Sequence, residues 1–287
     1  MPELPEVETV KRDLSKALVG KKISRVEVRL KKIVRGGSRQ FCRELTGQKF
    51  VSVSRVGKLL IFGLSSGRFL LIHLKMTGQL IFEQGRKIVA GDHKISDSDL
   101  INLPNKYTHV IFFLSGRRHL FFNDLRQFGY LKIVGQSEKD KIVGQYGLDP
   151  LSEIFTRANF FALLRNRKTK IKPLLLNQGL IAGIGNIYAD ETLFEAGVRP
   201  DRPALSLTAS EKEKIFRKLI SVLKKSIKYK GTTFRDFRGG DGRRGGFVRF
   251  LKVYQKENGL CPRCRKAKIS KIKVAGRGTR FCPHCQK

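Results

Sequence analysis

The sequence is short of acid, short of cysteine outside its last stretch, and without any long apolar run. Only 24 Asp and Glu face 59 Lys and Arg, a formal net charge of +35. That sets the chain apart from ordinary soluble enzymes and makes a polyanion its natural partner. No segment reaches the roughly 18 uninterrupted apolar residues of a membrane span, so no membrane partner is expected. The chain opens with Glu3, Glu6 and Glu8, where a secretory signal would carry bases, and a cytoplasmic location is expected. Five cysteines occur, Cys42 alone and four as two close pairs near the end, a pattern that suits metal in a reducing compartment better than a disulfide framework. No internal repeat is present. Against these shortages stand a 40% hydrophobic content and 20 Phe, enough burial to offset chain entropy and to exclude a disordered basic tail.

At 287 residues the chain is long enough for two domains and a small appendage. Leu4, Val7, Val10, Leu14 and Leu18 recur at helical spacing, with acids in the first turns, and predict an amphipathic helix over 3–18. From about Ile23 to Val134 short apolar or alternating runs (25–30, 50–55, 59–64, 69–74, 110–114, 119–122) predict a β-sandwich or barrel. The interval 83–106 has little periodicity and reads as a surface loop. Helical spacing then dominates from about 153 to Tyr229; there, a short helix over 171–176, a glycine-containing turn and a helix over 186–196 outline a helix-turn-helix unit with an overlong turn. The stretch 231–246 is rich in Gly, Arg and Asp and reads as a mobile loop. The expected division is 1–135 for helix and sandwich, 136–150 for a linker, 151–246 for the helical domain with its loop, and 247–287 for a small basic module. The expected class is therefore α+β and multidomain.

The most specific local signal is Cys261-x2-Cys264-x17-Cys282-x2-Cys285. Two such knuckles can supply four thiolates to one structural Zn²⁺, which would staple a hairpin too small to have its own core. Two disulfides or a redox Cys-x2-Cys are the alternatives, and the lack of an export signal and of a βαβ context weighs against them. Residues 261–287 hold nine Lys and Arg and no acid; Arg263, Arg265, Lys266, Lys271, Lys273, Arg277 and Arg280 would make a phosphate-binding face. At the other end, loss of Met1 would expose a secondary amine at Pro2, whose pKa lies near the ~7.7–8.0 of α-amino groups. A neutral amine can attack a sugar C1′ and form an iminium, and Glu3 could move the protons. The plain alternative is that Pro and Glu are ordinary helix-start residues. Lys58, between Gly57 and the apolar run 59–62, is either a strand-flanking lysine or a functional one.

Five segments in order resemble bacterial formamidopyrimidine-DNA glycosylases nearly end to end: Met-Pro-Glu-Leu-Pro-Glu-Val-Glu-Thr (1–9), Asn-Asp-Leu-Arg-Gln-Phe-Gly (123–129), Gly-Ile-Gly-Asn-Ile-Tyr-Ala (183–189), Gly-Thr-Thr-Phe-Arg-Asp-Phe (231–237), and the closing Gly-Arg-Gly-Thr (276–279) between the two cysteine pairs. The opening Leu4-Pro5-Glu6-Val7 favours this branch over the related endonuclease VIII branch. The resemblance implies an N-terminal helix feeding a β-sandwich, a helix-two-turn-helix domain, a C-terminal zinc β-hairpin, and double-stranded DNA bound in the basic cleft between domains. It implies a monomeric bifunctional enzyme that excises oxidised purines, 8-oxoguanine and formamidopyrimidines, and cuts the resulting abasic site by β,δ-elimination, with one structural zinc and no redox or nucleotide cofactor.

By the same resemblance Pro2 is the nucleophile, Glu3 the proton donor, Lys58 the acid of β-elimination, and Arg277 is associated with δ-elimination. Met76, Arg126 and Phe128 fill the gap left by the extruded nucleotide. His73, Tyr107, Arg126, Arg167, Asn186, Tyr254 and Arg277 contact DNA, while Glu6, Thr232 and Thr233 belong to the lesion pocket. The sequence departs from the family pattern at Tyr107, where many members carry a DNA-contacting His and His109 is a candidate substitute, and at Lys230, Gln255 and Arg265, where glycine is common. Two other readings are a sister glycosylase for oxidised pyrimidines and a non-catalytic, zinc-dependent protein that binds damaged DNA.

Overall fold

The computed structural model describes residues 2–84, 87–90, 102–232 and 246–287. It divides into two compact units, Met1–Gly144 with Ile227–Val248, and Gln145–Ser226 with Arg249–Lys287.

In the first unit, helix α1 (Leu4–Leu18) buries the stripe Val7, Val10, Leu14 and Leu18 and turns Arg12 and Lys16 to solvent, as its 3.6-residue periodicity dictates. It packs on two five-stranded sheets. One has the order β1 (Ile23–Val28), β8 (Thr108–Leu114), β9 (Arg118–Asp124), β6 (Gly78–Gln84), β7 (Lys87–Ala90); the other β2 (Val34–Arg35), β10 (Tyr130–Val134), β5 (Phe69–His73), β4 (Leu59–Leu64), β3 (Phe50–Val56). All the pairings are antiparallel except β10 with β2. The inward-facing residues of both sheets, among them Phe62, Leu70 and Ile72 opposite Phe82, Phe112 and Phe122, form one apolar core with α1. A sandwich follows.

Two local expectations need correction. The predicted loop 83–106 begins as a hairpin, for β6 runs to Gln84 and Lys87–Ala90 pair back onto it as β7; the run Lys87-Ile-Val-Ala90 is too short to give a period. The rest of that interval up to 101 lies outside the described residues. Ser38–Leu45 forms helix α2 inside the stretch read as strands. Its only buried residues are Phe41 and Leu45, one i,i+4 pair, which is too little to mark a helix.

A third helix, α3 (Gln136–Val143), closes the sandwich segment. The second unit carries α4 (Arg157–Leu164), α5 (Ile171–Leu176), α6 (Asn186–Ala196), most of α7 (Ala209–Lys228), and a hairpin of β11 (Ser270–Val274) and β12 (Arg277–Phe281). Phe155, Phe160 and Phe216 stack at centroid separations of 5.4 to 5.8 Å in its helical core. The overlong turn between α5 and α6 is stapled by one side chain: the Gln178 amide donates to the carbonyls of Leu176 and Ile184 and accepts from Gly183 N–H. Among the described residues no helix is long and apolar enough to cross a membrane.

Candidate functional site

Pro2 and Glu3 immediately precede α1 and are both buried. One turn on, Glu6 is 3% exposed. Its Oε2 accepts the Glu3 N–H at 2.9 Å and its Oε1 accepts the Thr232 N–H at 2.8 Å. A carboxylate is favoured at a helix N-terminus, where unpaired N–H groups and the dipole present positive charge; here that carboxylate also captures the strand-like residue Thr232. Gly231 makes this approach possible. Its φ is +87°, and a Cβ there would lie 2.8 Å from Glu6 Oε1. Gly246 N–H donates to the Tyr229 carbonyl and Phe247 N–H to Gly231, so the two ends of the segment 233–245 are held side by side. Thr233 and that segment lie outside the described residues. Behind α1, Glu8 pairs with Arg55 of β3 and with Arg12, each at 2.7 Å. Burial alone would raise the Glu8 carboxyl, but Arg12 and Arg55 hold it below its ordinary value.

Lys58 is 6% exposed at the head of β4, just before Leu59. Leu59 faces His73 across β4–β5, and Tyr130 faces the same histidine from β10. Burial, together with the cations of Lys75, Lys58 and Arg35, pushes the His73 imidazolium down to about 3. The Lys75 N–H donates to His73 Nδ1 at 2.9 Å, so the neutral ring carries its proton on Nε2 and is an uncharged donor for an anion. The Arg35 guanidinium lies 4.1 Å over the Tyr130 ring, and the Lys75 ammonium 5.8 Å from it. Sequence reasoning missed Arg35, Lys75 and Tyr130: it is the pairing of β2, β10 and β5 that gathers them, and no local spacing announces it.

Met76 sits in the turn between β5 and β6, while Arg126 and Phe128 sit in the turn between β9 and β10. Because Gly78 of β6 pairs with Asp124 of β9, the two turns emerge side by side. Arg126 Nη1 lies 3.0 Å from Met76 Sδ and its guanidinium carbon 4.6 Å from the Phe128 ring centre. Met76 is 37% and Phe128 52% exposed, so the three side chains form an amphipathic prong. Nearby, Tyr107 is half-buried with the Lys106 ammonium 5.2 Å from its ring. His109 is turned inward, buried, with Nε2 on the Asp124 carbonyl at 2.8 Å; its ring is spent on that bond, which argues against it as the replacement DNA contact.

The second unit holds the remaining residues. The sulfurs of Cys261, Cys264, Cys282 and Cys285 all lie within 4.8 Å of one another, with Cys261 to Cys285 and Cys264 to Cys282 each at 3.8 Å. A tetrahedral shell of thiolates at ~2.3 Å from zinc puts neighbouring sulfurs roughly 3.8 Å apart, so the donor set and its spacing fit that ion. Arg277 is exposed at the first position of β12, after a two-residue turn in which Ala275 and Gly276 both have positive φ, as a type I′ hairpin requires. The strand behind it is clamped. Lys172, fully buried, pairs with Asp190 at 2.7 Å and donates to Thr279 Oγ1 and the Gly278 carbonyl; Asn186 Nδ2 also donates to Gly278, and Arg280 N–H to Asp190. Burial pushes the Asp190 carboxyl up to about 7 against the pull of Lys172. Glu191, also buried, accepts three successive N–H groups, those of Lys252, Val253 and Tyr254, which fixes Tyr254 beneath the Arg280 guanidinium at 4.6 Å. Arg167 is exposed before α5. Lys172, Asp190 and Glu191 were not anticipated, being polar residues inside apolar helical runs.

Comparison with known proteins assigns the whole chain. The N-terminal domain of formamidopyrimidine-DNA glycosylase matches residues 1–131, its H2TH domain residues 146–238, and the zinc finger found in FPG and IleRS residues 260–287. A formamidopyrimidine-DNA glycosylase of Pelotomaculum thermopropionicum is 43% identical, covering 100% of this chain and 99% of that one. The chain belongs to the formamidopyrimidine-DNA glycosylase family. The fold agrees: the Lactococcus lactis enzyme in complex with abasic-site DNA superposes with a TM-score of 0.87 at 36% identity over 99% of both chains, and a point mutant of it in complex with formamidopyrimidine-dG DNA with 0.88 at 35% over 100% of both. Family membership carries with it the class of DNA-binding repair glycosylases with a C-terminal zinc finger.

Proposed function

We propose that the protein is a bifunctional DNA glycosylase and abasic-site lyase that removes oxidised purines from double-stranded DNA. The observation that carries this reading is the exposed prong of Met76, Arg126 and Phe128, in the same unit that buries Pro2, Glu3, Glu6 and Lys58. A glycosylase must extrude its nucleotide and fill the gap, at a cost of a few kcal/mol. Two apolar side chains held out in solvent around a guanidinium suit that task, the apolar groups wedging between bases and the guanidinium offering donors to the widowed base.

In the reaction, the Pro2 amine attacks C1′ of the extruded nucleotide, forming an N–C1′ bond as the base leaves with a proton. Glu3 protonates the sugar ring oxygen and the ring opens to the iminium. Elimination then takes a proton from C2′ and expels the 3′-phosphate, with Lys58 as acid, and Arg277 serves the second elimination at the 5′ side. Glu6, Thr232 and Thr233 line the lesion pocket. His73, Arg126, Arg167, Asn186, Tyr254 and Arg277 bind backbone phosphates, His73 as an uncharged donor and Asn186 with the first-turn N–H groups of α6, and Tyr107 is a further DNA contact. One structural zinc in the four-cysteine site holds the hairpin that presents Arg277; a closed four-thiolate shell has no open position for chemistry. The reading includes no redox or nucleotide cofactor, a monomer, and a cytoplasmic location on nucleoid DNA.

Borohydride trapping tests it. The protein on a duplex carrying 8-oxoguanine opposite cytosine is expected to form a covalent adduct that Pro2→Gly abolishes, and to trap more slowly on a thymine-glycol duplex. Binding without trapping or cutting on either duplex would replace this reading with that of a damage-binding protein, and faster trapping on thymine glycol with that of an oxidised-pyrimidine glycosylase.

A further inference from the structure

We propose that Asp124 and Thr77 are positioning residues that assemble the Met76–Arg126–Phe128 prong before DNA arrives. The proposal rests on the gap-filling reading above and adds to it the device that sets the prong's shape.

Asp124 is 1% exposed, and each of its polar groups is engaged. Its N–H donates to the Tyr107 carbonyl at 3.0 Å and its carbonyl takes His109 Nε2 at 2.8 Å, which fixes its backbone from one side. On the other side its carboxylate closes the neighbouring turn. Oδ2 accepts Gly129 N–H at 2.7 Å; Oδ1 accepts Arg126 N–H at 3.2 Å and the Thr77 hydroxyl. Thr77 Oγ1 in turn accepts Arg126 N–H at 2.9 Å. One buried carboxylate and one hydroxyl therefore tie the turn bearing Met76 to the turn bearing Arg126 and Phe128.

The four residues so enclosed, 125–128, are all exposed, so the carboxylate is not spent on holding an apolar core together. Gly129 shows how narrow the neck is: a Cβ there would lie 2.7 Å from Phe122 Cζ and 3.0 Å from Asp124 Oδ2. The turn before it is equally tight, with Gly78 N–H on the Leu74 carbonyl at 2.8 Å and Lys75 at φ +52°. A prong ordered in advance removes the entropy of arranging three long side chains from the extrusion step. A loose one would have to be ordered while the base is leaving the stack.

Asp124→Asn puts an amide donor where one of two N–H groups needs an acceptor; Thr77→Val keeps the shape and deletes the link. Both are made in the full-length, zinc-loaded protein. Active molecules are counted by borohydride titration, and the single-turnover excision rate per active molecule is measured on the 8-oxoguanine duplex. Insertion of the prong is read from 2-aminopurine placed opposite an uncleavable tetrahydrofuran abasic analogue. Both variants are expected to bind DNA as the native protein does, to lose most of the 2-aminopurine response, and to excise roughly tenfold or more slowly per active molecule, Asp124→Asn the more severely. If the variants lower only thermal stability or the active fraction, with the native rate per active molecule and the native 2-aminopurine response, the proposal is overturned. Thr77→Val decides alone if Asp124→Asn does not fold. Normal trapping by the native protein without any 2-aminopurine response would remove the prong assignment while leaving the glycosylase reading intact; absence of both would remove the glycosylase reading itself.

Discussion

In the first unit the candidate functional side chains stand on a deep apolar platform: α1 and the inner faces of two five-stranded sheets share one core, and the hydrogen bonds of Glu6 and Asp124 fix the segments that rise from it. In the second, the cysteine hairpin has almost no core of its own. Cys261, Cys282 and Ile269 meet Phe194 and Val253, and Val274 and Phe281 are buried as well, but much of the fixation is polar, through the cysteine cluster, the Lys172–Asp190 pair and the Glu191 carboxylate. The contrast teaches where each unit is vulnerable. An apolar platform fails by losing volume or by burying an unpaired charge, whereas a polar clamp fails by losing a ligand or a proton.

The sharpest way to break that contrast is to take the metal. The native protein is expected to hold one zinc per chain by atomic absorption, and structural zinc sites of this kind carry roughly 10–16 kcal/mol of apparent binding energy. Removal with a strong chelator, or Cys264→Ser, should unfold the hairpin and lower DNA affinity by roughly a hundredfold or more as its phosphate contacts are lost. The near-ultraviolet and urea signatures of the β-sandwich should persist. Metal-free protein that bound damaged DNA at native strength would show that the hairpin's polar clamp holds without its ion.

Arg55→Ala strikes the other unit. Glu8 and Arg55 are 8% and 6% exposed at their side chains, so truncation strands a buried carboxylate. The expected loss is about 3 kcal/mol, the low end for a broken buried pair, because Arg12 and Lys11 still face Glu8. The loss should carry a pH signature. The Glu8 carboxyl is held below its ordinary 4.5 in the folded protein, so in acid the unfolded chain takes up the proton first. Its contribution to stability is complete above that value and is lost as pH falls through the folded pKa. Urea unfolding at neutral and acid pH should show native and variant curves converging in acid. Parallel curves would mean that Arg55 acts by packing alone.

Much of this was legible in advance, and what was not has a common cause. The α1 stripe from Val7 to Leu18, the cysteine spacing and the five ordered segments are local patterns, and the sequence displays local patterns directly. Asp124 lies inside one of those segments beside Arg126 and Phe128, and its hydrogen bonds to Thr77 and Tyr107 join residues distant in sequence that no local pattern displays. Arg35, Tyr130, Lys172 and Glu191 are of the same kind: each becomes meaningful only when register or helix packing supplies its partner. Short elements escaped as well: α2 buries only Phe41 and Leu45, β7 is four residues long, and neither makes a period.

The smallest expected effect separates the units by one chemical change made in each. Lys230 and Arg265 have φ of 60° and 52°, a left-handed conformation that costs a side-chain-bearing residue roughly 1–2 kcal/mol. Glycine relieves that strain but gains freedom in the unfolded chain, so the net benefit should be only about 0.5 kcal/mol. In the first unit, where Lys230 N–H reaches the Ile227 carbonyl after α7, Lys230→Gly should raise the urea midpoint slightly and leave zinc content unchanged. In the second, Arg265 belongs to a cysteine knuckle and its N–H reaches the Cys261 carbonyl, so Arg265→Gly should slow the chelator-driven loss of zinc while hardly moving the urea midpoint of the sandwich. If both substitutions moved the same observable, the two units would be stabilised as one, and the difference between a platform and a clamp would disappear.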